Sequence, residues 1–191
     1  MNFFTVGFVL CSFNLNLGSI LNYALKIVGG SFMLGGFKEI KFITEKLERT
    51  KPFVYISLVL AVLGAGSAVM IQTDVLKDTA ANVISAAIGT LSILSVVYSQ
   101  FLIIRKITPD HTLVNDPSLL DRLGKAWNKL ALFTLITAVT DIIYRFAPTG
   151  NFREFFGVVQ VFARFLMIIY VVIMGSAFNK VRADFNVVHP V

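Results

Sequence analysis

The sequence predicts an all-α polytopic transmembrane helix bundle, and three observations predict it. The chain of 191 residues is 56% hydrophobic and only 15% charged, against about 25% charged in a soluble domain. Its mean hydropathy is +0.77. Stretches 53–73, 80–104, 126–147 and 155–178 contain almost no charge, and each reaches the roughly 20 apolar residues that a helix needs to cross the hydrocarbon. One such run would fit a buried soluble helix, but no soluble core covers four of them in so short a chain.

The N-terminal third holds the remaining span. From Phe3 to Phe37 the chain is apolar, yet as one helix it would be roughly 50 Å long, beyond a hydrocarbon core of about 30 Å. Asn14 and Asn16 are the expected break. This leaves Phe3–Phe13 as an interfacial or outward-projecting turn and residues 17–36 as the first span. The result is one integral membrane domain over 1–191 with about five spans, the N-terminus outside and the C-terminus inside. A four-span version, with the N-terminal third re-entrant or lying on the membrane, is the alternative.

Loop charges set the orientation. Lys38, Lys41, Lys46, Arg49 and Lys51 occupy the first turn, Lys77 alone the next, then Arg105, Lys106, Arg122 and Lys125, then Arg153 alone, and Lys180 and Arg182 the tail. Rich and poor loops alternate, so the positive-inside bias puts the rich turns and the C-terminus in the cytoplasm. Because the basic residues flank the spans, the formal charge of +6 reflects topology, with anionic lipid headgroups as counter-charge, and no nucleic-acid partner is expected.

The turns carry their own signals. In segment 37–51, Phe37, Ile40, Ile43 and Leu47 fall at helical spacing among Lys38, Lys41, Glu45 and Arg49. That pattern describes an amphipathic helix on the cytoplasmic headgroups, so the anionic lipid contact is placed at Lys38 to Lys51. Pro52 suits a helix start, where its missing N–H costs nothing. Asp116 before Pro117 reads as an N-cap, with the following helix passing Trp127 at the interface. Pro148 to Asn151 forms a short outer turn joining two antiparallel neighbours.

Each span also has a small or polar stripe at steps of three and four. These are Ser19, Asn22, Lys26, Gly29 and Gly30; Ser57, Ala61, Gly64, Ala68 and Gln72; Asn82, Ser85, Gly89, Ser92 and Ser99; Thr134, Thr137, Asp141 and Arg145; and Gln160, Arg164 and Gly175. Most of these residues serve helix packing in any polytopic protein. Ionisable ones demand more, since a charge at mid-bilayer costs about 2.5–3.5 kcal/mol. Counted from the outer turn, Asp141 lies about 9 Å deep and Arg164 about 15–18 Å deep on the adjacent helix. They are expected to pair, with Arg145 and Gln160, one turn away, adding hydrogen bonds. Lys26, also near mid-depth, either joins this interior, snorkels to the cytoplasmic surface, or sits in a shallower or re-entrant segment. Facing inward, it would leave a cationic surplus suited to an anionic solute, a lipid phosphate or an acidic partner.

Searches for catalytic patterns end without a match. HExxH, GxSxG and GxxxxGK[ST] are absent, and Cys11, the only cysteine, allows neither an intrachain disulfide nor a CxxC pair. His111, among Asp110 and Asp116, reads as a solvated loop residue. No catalytic, cofactor or metal residues are assigned, and an enzyme is not expected. Candidate polar-site residues are Asn22, Lys26, Asp141, Arg145, Gln160 and Arg164. Two functional expectations follow. One is a transporter or channel protomer for a small, anionic solute, working as a homo-oligomer. The other is an accessory or scaffold subunit whose charges pair internally or with a membrane protein partner. Short loops and one cysteine fit a bacterial inner membrane.

Overall fold

The computed structural model describes residues 3–13, 20–37, 50–73, 79–148 and 150–188. In chain order the elements are α1 (Phe3–Ser12), α2 (Ile20–Gly36), α3 (Lys51–Gln72), α4 (Thr79–Ile107), a 3-10 turn (His111–Leu113), α5 (Ser118–Phe146) and α6 (Asn151–Val188). Among the described residues four of them, α3 to α6, are long and apolar enough to cross a bilayer. The chain is therefore an all-α polytopic transmembrane bundle.

Helix packing follows chain order: α2 lies on α3, α3 on α4, α4 on α5 and α5 on α6, while α1 fills the space between α6 and α2 and also touches α4. The outer surface is apolar. Phe155, Val158, Val161, Phe162 and Phe165 of α6, and Val59, Val62 and Leu63 of α3, are all exposed. In water so much open apolar surface would drive association; in lipid it costs nothing.

The predicted spans at 53–73 and 80–104 correspond closely to α3 and α4. The last two helices run further than their apolar stretches. α5 starts at Ser118 and α6 is one continuous helix to Val188, about 57 Å long, because hydropathy marks the lipid-embedded part of a helix and not its hydrogen-bonded ends. Beyond the bundle, Asp184 of α6 accepts hydrogen bonds from the backbone amides of Asn115 and Asp116 at 2.6 and 3.0 Å, tying down the connection to α5. Asp116 in turn accepts from the Ser118 amide at 3.0 Å, although the helix begins one residue later than the sequence reading has it, at Ser118 with Pro117 in the N-cap position. These Ser118 hydrogen bonds hold the Asp116 carboxyl below its usual range. Trp127 is buried against Phe101, with ring centroids 5.6 Å apart, rather than facing lipid headgroups. The amphipathic helix expected at 37–51 lies outside the described residues, except for Phe37, Thr50 and Lys51.

The N-terminal segment departs most from expectation. The break expected at Asn14 and Asn16 leaves Phe3–Phe13 as an interfacial or outward-projecting turn; instead α1 lies within the bundle, antiparallel to α2. Glycine makes this possible. A Cβ on Gly7 would overlap the Gly29 carbonyl oxygen and the Met33 amide, and one on Gly36 would overlap the Phe4 backbone. Phe4 packs on Phe37 and Phe178 at 5.3 and 5.8 Å, and Phe8 on Phe178 at 5.5 Å. These contacts put the start of α1 at the end of the bundle that carries Arg105, Lys106, Arg122 and Lys125. The N-terminal helix thus begins at the basic end, not at the opposite end, where the sequence reading puts the N-terminus. Ten residues take it about 15 Å inward.

Candidate functional site

Two separate polar sites lie inside the bundle. The first joins α5 to α6 near their connecting turn. Asp141 and Arg145 stand one turn apart on α5, and Gln160 and Arg164 one turn apart on α6, so antiparallel packing brings two short polar stripes face to face. Asp141 is 4% exposed. Its Oδ1 accepts hydrogen bonds from Gln160 Nε2 at 2.5 Å and Arg164 Nη2 at 3.2 Å, and its Oδ2 accepts one from Arg145 Nε at 3.0 Å. The arrangement is the pairing expected from the spacing. With both oxygens occupied, the carboxylate works as a clamp between helices. Two guanidinium groups on one carboxylate leave a net single positive charge.

The second site forms where α1 ends. A helix end in hydrocarbon leaves carbonyls that water cannot reach, so protein groups must satisfy them. Gln100 of α4 does part of this, its Nε2 donating to the Phe8 carbonyl at 3.1 Å and to Ser12 Oγ at 2.8 Å, while Ser12 Oγ itself donates to the Phe8 carbonyl at 2.8 Å. Beside this junction is a small enclosed cavity lined by Cys11, Ser12, Lys26, Gln100 and Thr134, with Ile93 and Leu130 among its apolar walls. At about 10 Å³ it holds roughly one water molecule.

Lys26 is 3% exposed, and among the described residues its Nζ has no hydrogen-bond partner. Its nearest favourable contact is the face of Tyr23, 5.9 Å from the ring centroid. The C-terminal end of α1 adds the negative pole of a helix dipole, roughly half an elementary charge at most. One turn earlier in α2, Asn22 is fully buried with both its Oδ1 and Nδ2 unpartnered among the described residues, and Ser92 Oγ on α4 is in the same condition. Buried polar atoms without partners are rare and costly.

The structure therefore brings Asp141, Arg145, Gln160 and Arg164 together and places Asn22 and Lys26 on α2, in a different part of the bundle. Lys26 neither snorkels nor joins the Asp141 group. Sequence reasoning missed Cys11, Ser12 and Gln100. Gln100 was detectable as an amide near the end of an apolar run, but it falls off the Ser85, Ser92 and Ser99 spacing. Cys11 and Ser12 matter only because α1 folds inward.

No protein-family model, curated protein or solved structure matches the chain. Fold and sites together define a polytopic membrane helix bundle with a half-length helix inserted from its basic end.

Proposed function

We propose that this chain is a non-enzymatic transporter protomer for a small anionic solute, working as a homo-oligomer in a bacterial inner membrane with its basic end and C-terminus in the cytoplasm. The observation that carries this reading is the Lys26 ammonium, buried and without a hydrogen-bond acceptor at the tip of a half-length helix. Transporters place substrate sites at such interrupted helices near mid-membrane. A single monovalent anion would neutralise the lysine, and Asn22, Ser12 and Gln100 offer polar atoms along the same region. Because the cavity, at about 10 Å³, has room for no more than about one water, admitting a solute requires α1 to shift.

Anion efflux from liposomes containing the purified protein tests the proposal, with chloride, nitrate and formate as probes. Lys26→Gln is expected to lower efflux about tenfold, equivalent to roughly 1.4 kcal/mol of anion affinity, while Lys26→Arg retains part of it. Efflux no faster than from empty liposomes for every probe would refute the reading.

The closed interior favours a second reading, an accessory or scaffold subunit whose basic segment Lys38 to Lys51 holds anionic headgroups or a partner. Its signature is stoichiometric co-purification with one membrane protein and no anion flux.

A further inference from the structure

We infer that the groove between α5 and α6 at the basic end is a binding site for the headgroup of an anionic phospholipid. One wall is formed by Leu119, Arg122, Lys125, Ala126 and Lys129, which recur at helical spacing on one face of α5; the other includes Tyr170, Ile173, Ser176, Ala177 and Lys180 of α6. The groove is open and about 640 Å³ in volume. Small residues at its centre, Ala126, Ser176 and Ala177, keep the two helices from filling it with their own side chains.

Charge distinguishes this groove from two others on the surface. Among the described residues four basic ones line it and no acidic one does. The groove at the end of α4 sets Asp110 beside Arg105 and Lys106, and the one near the α5–α6 turn sets Glu154 beside Arg153. The first of these keeps a single net positive charge and the second is neutral. The α5–α6 groove keeps all four of its positive charges, and Asp184, the acidic residue further along α6, is engaged by the Asn115 and Asp116 amides.

Position selects a lipid over a soluble anion. Arg122 and Lys180 lie toward the end of the bundle where Arg105 and Lys106 end α4, and Lys129 reaches deeper, its ammonium 5.5 Å from the centre of the Tyr170 ring. From there the groove continues along Val172 and Ile173, both exposed toward hydrocarbon. A phosphate held by the lysines would place its acyl chains along that apolar track. Basic grooves between membrane helices at the headgroup level bind anionic lipids in this way.

The test is native mass spectrometry of the protein released from nanodiscs of phosphatidylglycerol or of phosphatidylcholine. Wild-type protein is expected to retain phosphatidylglycerol on the order of tenfold more than phosphatidylcholine. A Lys125→Gln, Lys129→Gln, Lys180→Gln variant should lose that preference, as should Ser176→Trp, which fills the groove without changing its charge. An Arg105→Gln, Lys106→Gln variant should keep it. Equal retention of the two lipids by wild type overturns the inference. So does phosphatidylglycerol retention that survives Ser176→Trp, or that falls equally in the Arg105 and Lys106 variant, since either result means diffuse surface charge. If the triple lysine variant does not fold, the other two variants still decide the question.

Discussion

Two buried charges in one bundle, Asp141 and Lys26, are treated in opposite ways. Asp141 has every oxygen satisfied by donors from two helices, whereas Lys26 has a ring face and a helix end but no acceptor. A saturated charge holds helices in place; an unsaturated one stores unfavourable energy that a ligand can release. The same contrast extends to the two helical hairpins. The α5–α6 pair is fastened by the Arg164–Asp141 ion pair and the Gln160–Asp141 hydrogen bond, while α1 and α2 meet at close glycine contacts with one weak hydrogen bond, from the Cys11 thiol to the Lys26 carbonyl at 3.7 Å.

The largest effect expected is at the fastened site. Asp141→Asn leaves two guanidinium groups facing each other and should cost about 3–5 kcal/mol in a denaturant or thermal unfolding measurement. A double-mutant cycle with Arg164→Gln should return a coupling of about 0.5–3 kcal/mol; additivity would mean that the two do not interact directly. Next is the glycine seam. Gly7→Leu forces a side chain into the α2 backbone and should cost about 3 kcal/mol. Displacement of α1 would also expose Cys11, now 5% accessible, so its maleimide labelling should rise in proportion.

Lys26→Met should break the symmetry of the comparison by going the other way. Removing an unpartnered buried ammonium is expected to stabilise the fold by about 1–2 kcal/mol. Destabilisation would reveal that the ammonium has an acceptor. Asp184→Ala, at the end of α6, should cost about 1 kcal/mol, with faster hydrogen exchange at the Asn115 and Asp116 amides as its local readout.

The smallest effect is a pH dependence at Asp116. Its carboxyl is held below the usual carboxylate range by the Ser118 hydrogen bonds. The stabilisation is therefore complete above the ordinary carboxylate pKa and is lost as pH falls through the lowered folded value. Ser118 amide exchange should accelerate over that acidic interval and not at neutral pH.

Much of this was legible in the chain. Small and polar stripes at steps of three and four named the faces that pack inward: Ser57, Ala61 and Ala68, Ser85, Ser92 and Ser99, and Thr134, Thr137 and Asp141 are all buried. Gln72, at the end of its stripe, is exposed, since the helix there has left the bundle. The Asp141 group was readable because both stripes lie on neighbouring antiparallel helices joined by a short turn, which fixes their relative depth. The Lys26 site was only half readable. Its other members come from α1 and α4, distant in sequence, and no short turn relates their heights.

The sequence alone determined that this is a membrane helix bundle, where its long helices run and which faces of them meet. Those are consequences of hydrocarbon thickness and helical periodicity, both local in the chain. Only the tertiary structure decided that Phe3–Ser12 enters the bundle and that Lys26 sits unpaired beside its tip. A ten-residue apolar helix is equally compatible with the interface and the interior until Gly7 and Gly36 meet their particular neighbours, and that is a matter of contact between distant segments.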